Sequence, residues 1–241
     1  MSEEILTGGN STAVARVGDT VRRTAGPWTP TIQALLATLR AAGIEEVPEP
    51  LGLDEQGREV LSYRPGTVAN YPLPAWVWTP QILTDVGRLL RRMHDATAGF
   101  AANDPIWQLA GHDPAEVICH NDVAPYNLVF DDDGVLTGII DFDTASPGPR
   151  IWDLAYVAYR LVPYVGDAGE LAPTEADRPG RLNLLLAAYG LPVDRAELLR
   201  TLVVRLHELA AWTDRRAADT GDPEFLDHAA LYRRDAARLG G

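Results

Sequence analysis

The chain contains no lysine. All 21 basic residues are arginine, against 34 acidic residues among 241, so the net charge is −13. Nucleic-acid backbones and anionic membranes both need a cationic footprint, and this composition does not offer one. It favours a cationic small molecule or a basic partner instead. Cysteine is nearly missing too. The one thiol, Cys119, excludes an internal disulfide and a thiolate zinc site. The opening residues MSEEILTGG carry acids and no apolar stretch, so they lack the pattern of a signal peptide. No apolar run approaches the length needed to span a bilayer. Together these absences point to a cytoplasmic protein. What is present argues against disorder. With 46% apolar and 23% charged residues the chain can bury a core, and its length suits one globular unit or two small lobes sharing a cleft.

The patterning changes along the chain. Ala13–Val17 and Thr20–Arg23 flank Gly18-Asp19, a hairpin signal. Thr29-Pro30 opens a helix with Ile32, Leu35, Leu36 and Leu39 at helical spacing, stopped by Gly43. Glu59–Tyr63 reads as a strand ending at Arg64-Pro65-Gly66. Beyond that point helices dominate. Thr79-Pro80 starts one with Ile82, Leu83, Val86, Leu89, Leu90 and Met93 on a single face. Asn127–Asp131 and Val135–Asp141 form a hairpin around Asp132-Asp133-Gly134. Further helices are expected over Ile151–Leu161, from Asp194 (a capping box with Glu197) and from Asp222-Pro223. Val162–Gly180, rich in glycine, proline and acids, reads as a loop. The expected architecture is α+β: a strand-rich unit over residues 1–65 and a larger helical unit over 66–241.

The chemistry concentrates in His120-Asn121-Asp122-Val123-Ala124-Pro125-Tyr126-Asn127, followed fourteen residues on by Asp141-Phe142-Asp143 after the apolar Gly138-Ile139-Ile140. Asp122 and Asn127 share a loop before the first hairpin strand. Asp141 ends the partner strand, so the hairpin returns it toward Asn127. Two carboxylates and an amide oxygen then converge. Hard oxygen ligands of this kind suit Mg²⁺, which takes few protein ligands plus substrate phosphates. With Asn127 and Asp141 on the metal, Asp122 is left to accept a proton from a hydroxyl. Phosphoryl transfer divides its labour in this way.

The pattern H-x-D-x-x-P-x-N, an apolar strand, then D-F-D resembles the catalytic and metal loops of the aminoglycoside phosphotransferase family, small-molecule kinases with a protein-kinase-like fold. Protein kinases carry a related pair of loops. Arg91-Arg92-Met93-His94 and Trp152-Asp153-Leu154-Ala155 extend the likeness, which is strong from about Leu89 to Tyr159. The resemblance implies Asp122 as catalytic base, Asn127 and Asp141 as Mg²⁺ ligands, His120 as a structural member of the loop, and Asp153 as a brace for it. It implies ATP as phosphoryl donor and a hydroxyl of a small molecule as acceptor, with an aminoglycoside-like cation among the options; Glu208, Asp214 and Asp227 are acids that could meet one.

By the same resemblance the strand-rich unit holds the nucleotide. Gly9 and Ser11, in Leu6–Ser11, are candidates to cradle phosphates through backbone N–H groups. Ser62 and Tyr63 would form the hinge that pairs with the base edge. The family pattern also expects a lysine on the third strand and a glutamate on the following helix, and neither is present. Arg23 is the candidate substitute for the lysine and Gln33 the nearest partner. That departure motivates an alternative reading, a kinase-like module that binds without turnover. Cys119, at the end of an apolar run, reads as a small buried residue rather than a nucleophile.

Overall fold

The structure is a computed structural model that describes residues 3–6 and 14–240. It begins with strands β1 (Glu4–Leu6), β2 (Val14–Val17) and β3 (Thr20–Arg23), helix α1 (Thr29–Ala41), and strands β4 (Pro50–Leu53) and β5 (Glu59–Ser62). These strands form one antiparallel sheet in the order β1-β2-β3-β5-β4. Gly18, at φ +60°, supplies the left-handed residue the β2–β3 turn needs. In the β3–β5 pairing Arg23 lies opposite Glu59, a register that matters below.

The chain leaves this sheet through Gly66, where only glycine fits. Its φ is +136°, and an added Cβ would lie 2.5 Å from the Phe130 carbonyl oxygen. β6 (Thr67–Val68) follows, then the long helix α2 (Pro80–Thr97), β7 (Val117–Cys119), and the hairpin β8 (Leu128–Phe130) and β9 (Leu136–Ile139). β6, β8 and β9 make a second sheet, and β10 (Ser146–Gly148) pairs with β7. Four helices complete the chain: α3 (Arg150–Leu161), α4 (Arg178–Tyr189), α5 (Arg195–Thr220) and α6 (Glu224–Gly240).

The expected α+β arrangement is the one observed, and the helices with strong apolar stripes lie where the spacing puts them. Asp194 caps α5 by accepting from the Glu197 N–H at 2.8 Å. The α2 stripe is buried from Ile82 to Met93. Gly87 lets α4 approach α2 closely, since a Cβ there would meet Ala188 Cβ at 3.0 Å and the Leu185 carbonyl at 3.1 Å. The main apolar core runs from Ile32, Leu36 and Leu61 on the sheet side to Leu182, Leu202 and Ala236 among the last helices, beside a small second cluster of Val117, Cys119 and Trp152. Several elements go beyond the sequence reading, among them the short strands β1, β4, β6, β7 and β10 and the helix α4. α4 begins inside the segment expected to be a loop, because Pro179 sits in the first helical turn, where a missing N–H costs nothing.

Candidate active site

The 120–122 loop is held from below by one carboxylate. Asp153, on α3 and fully buried, accepts the His120 N–H at 2.7 Å on Oδ2 and the Asn121 N–H at 2.9 Å on Oδ1. His94 Nε2 on α2 lies 3.2 Å from the same Oδ2, and His94 Nδ1 lies 2.7 Å from the Tyr189 hydroxyl. Burial alone would raise the Asp153 pKa. The His94 hydrogen bond, with the charges of His94 and Arg205, outweighs it and holds the pKa down at about 2. The bracing role expected of Asp153 is thus visible as two backbone hydrogen bonds.

Asn121 needs that support, because it adopts φ +68°, a left-handed conformation. Its side-chain amide donates to the Thr144 carbonyl and to Ser146 Oγ. Its two oxygens both accept from Arg205 of α5, the backbone carbonyl at 2.5 Å and Oδ1 at 3.1 Å. Arg205 is only 2% exposed, and its guanidinium also lies over the Trp152 and Tyr156 rings. The sequence reading missed Arg205. Its signal was an arginine on the apolar face of Leu198, Leu202 and Leu209, where a charge must find a buried partner.

This backbone presents Asp122. Its N–H donates to His120 Nδ1 at 3.2 Å, and His120 Nε2 therefore donates to the Ile140 carbonyl at 3.1 Å. The Asp122 carboxylate accepts from the Tyr126 hydroxyl at 2.7 Å and from Asn127 Nδ2 at 2.9 Å. Burial and the neighbouring Asp122 push the Tyr126 pKa well up, so Tyr126 stays protonated and donates. With the Asn127 amide nitrogen directed to Asp122, its amide oxygen is left for another partner. Asn127 and Asp141 are brought together as the hairpin spacing requires. Leu128 pairs with Ile139, and the Ile140 N–H donates to the Asn127 carbonyl at 2.9 Å. Asp141 follows at φ +65°, its side chain 52% exposed.

Arg23 reaches the same place from β3. It lies 2.5 Å from Glu59, 2.6 Å from Asp143 and 3.3 Å from Asp141. Glu59 was not singled out in the sequence. It is fully buried on the strand beside Arg23, and its other oxygen accepts from Gln33 Nε2 of α1 at 2.8 Å. A strand glutamate thus pairs with the strand arginine where the sequence pattern led us to look for an acid on the helix. Burial opposes the charge on Arg23, but Asp143, Glu59 and Asp141 outweigh it and raise the arginine's pKa. Burial raises the Asp143 pKa against the pull of Arg23. One guanidinium against three carboxylates leaves two negative charges in excess, the charge of one divalent cation. Of these, Asp141 and Asp143 offer hard oxygens of the kind Mg²⁺ takes.

The remaining candidates are placed differently. Ser62 ends β5 and Tyr63 follows it, but their N–H groups already donate to the Glu49 and Asp19 carbonyls, so neither N–H is open to a base edge. Gly9 and Ser11 lie outside the described residues. Glu208 pairs with His112 and Asp214 with Arg233. Cys119 is fully buried, and burial raises its pKa, as for a packing residue. No helix among the described residues is long and apolar enough to cross a membrane.

Comparisons with known proteins give the family and the fold. The sequence profile of a family described as "Phosphotransferase enzyme family" matches residues 100–184, the stretch that contains both loops. The chain is 37% identical to a trifolitoxin immunity protein from Rhizobium leguminosarum bv. trifolii, across 96% of this chain and 91% of that one. In three dimensions it is similar to an ethanolamine kinase from Plasmodium vivax, with a TM-score of 0.70 at 12% identity over 98% of this chain and 82% of that one. It is also similar to a spectinomycin phosphotransferase solved with ADP and spectinomycin, with a TM-score of 0.65 at 13% identity over 100% and 93%. At such identities the likeness is one of fold.

Proposed function

The chain belongs to the phosphotransferase enzyme family and has its protein-kinase-like fold, and from that premise we propose that it transfers the terminal phosphoryl group of ATP to a hydroxyl of a small molecule. The observation that carries this reading is the Asp122 carboxylate, fixed by Tyr126 and Asn127 on a loop whose next neighbour is the Asp141 strand end. In this reading Asp122 orients the acceptor hydroxyl and takes its proton as the new phosphate bond forms. The Tyr126 and Asn127 donors hold the carboxylate in one rotamer, so little reorganisation is left for the reaction. Asn127 and Asp141 would hold Mg²⁺, which offsets phosphate charge when bound.

Residues 1–65 take the nucleotide and residues 66–241 supply the catalytic loops. Gly9, Ser11 and Arg23 are assigned to the phosphates. Arg23 makes one hydrogen bond from each terminal nitrogen to Asp141 and Asp143, which leaves one N–H on each for a phosphate oxygen. The identity with a trifolitoxin immunity protein supports a protective setting, in which the acceptor is a toxic molecule.

The test is release of ADP from Mg·ATP across a panel of hydroxyl compounds. Asp122→Ala should lower turnover by about 10²–10⁴-fold while Mg·ATP binding is unchanged. Turnover that survives Asp122→Ala removes this residue from its role. If Mg·ATP gives no thermal stabilisation, the chain is instead a binding module without turnover.

A further inference from the structure

Behind Asp122 lies a buried guanidinium that the proposed transfer does not use. Arg160, near the end of α3, is 8% exposed and is enclosed by tyrosines. Its Nε donates to the Tyr156 hydroxyl at 3.0 Å, one terminal nitrogen to Tyr71 and the other to Tyr232, both at 3.3 Å. The Tyr126, Tyr156 and Tyr159 rings lie 5.3–5.7 Å from its central carbon. The two carboxylates nearby belong to other donors: Asp122 accepts from Tyr126, and Asp235 accepts from Tyr159 at 2.8 Å. Arg160 therefore forms no ion pair among the described residues.

A guanidinium has five N–H donors and cannot be neutralised by losing a proton. Three are used here, so each terminal nitrogen keeps one N–H without an acceptor among the described residues. Parallel N–H groups on the two ends of the fork match the paired oxygens of a carboxylate or phosphate. The place also matters. The Tyr156 hydroxyl that Arg160 holds is 3.4 Å from the Tyr126 hydroxyl, which donates to Asp122. Tyr71, at the outer edge, is 45% exposed.

We infer that Arg160 and its tyrosine hydroxyls form the part of the acceptor site that reads an anionic group, so the acceptor is a hydroxyl compound bearing a carboxylate or a phosphate. The inference rests on the phosphotransferase reading for the word acceptor, but the anion site does not depend on turnover. A cationic acceptor would bring a second positive charge toward an arginine that has no counter-ion.

The test is calorimetric titration of the full chain, with a non-hydrolysable Mg·ATP analogue, against four probes that differ mainly in charge: glycerate, glycerol 3-phosphate, glycerol and ethanolamine. One or both anions should bind at least tenfold more tightly than glycerol and ethanolamine, and the tighter anion identifies carboxylate or phosphate. Arg160→Gln should abolish the preference and Arg160→Lys should keep part of it. Tyr71→Phe, at the exposed edge, should weaken anion binding a few-fold without unfolding the protein. Equal or tighter binding of glycerol or ethanolamine overturns the inference, as does failure of both anions to bind, or a preference that survives Arg160→Gln. The wild-type ranking decides the matter even if Arg160→Gln does not fold. Anion binding without ADP release on Mg·ATP would overturn the phosphotransferase reading and leave the anion site standing.

Discussion

Arg23 and Arg160 are both buried arginines within a few hydrogen bonds of the same loops, yet their surroundings are opposite. Arg23 meets three carboxylates. Arg160 meets hydroxyls and rings. An over-compensated cation organises its anions and leaves the region around it negative, which suits a metal. A cation balanced only by dipoles and ring faces keeps its attraction for an anion. In the proposed reading, the same residue type thus prepares two neighbouring regions for ligands of opposite charge.

The comparison is most severely tested by removing each charge. Arg23→Met leaves Glu59 buried without its cation and should cost about 3–5 kcal/mol of unfolding free energy in urea. Arg160→Met strands no carboxylate, only hydroxyls that have lost a donor, and should cost about 1–3 kcal/mol. Equal costs would erase the distinction. A second measurement uses pH and the third buried charge system, Asp153. Its pKa is about 2 in the folded chain against an ordinary 3.8. It should therefore contribute about 2 kcal/mol above pH 4, lost as pH falls toward 2. In Asp153→Asn the stability lost between pH 5 and pH 2 should be smaller than in wild type by that amount. An unchanged acid profile would show that Asp153 is not the charged brace. The smallest effect belongs to Tyr126→Phe. It removes one hydrogen bond from Asp122 and should cost about 0.5–1.5 kcal/mol, with the ring packing intact.

Legibility in the sequence followed the range of the interactions. Helix α2 and the cap of α5 depend on residues three or four apart, and both were plain. The 120–127 loop and the 141 strand end are joined by a short hairpin, so their meeting could be deduced from spacing. Helix α4 could not, because its first residues look like a loop and its apolar face makes sense only against α2. Glu59 was missed because its partner Arg23 is 36 residues away, and the two meet only through the β3–β5 register. Arg205 and Asn121 are 84 apart, and Arg160 and Tyr71 are 89 apart. Each arginine did leave a trace, a charge within an apolar helical run, but the trace does not identify the partner.

By itself, then, the sequence placed Asp122, Asn127 and Asp141 on one loop and one hairpin, which is where the fold has them. Periodicity and turn chemistry act over a few residues and need no knowledge of the rest of the chain. Which buried cations are neutralised and which are left with spare donors was decided only in the folded molecule. The energy of a buried charge depends on every group packed around it, and many of those groups come from segments far apart in the chain.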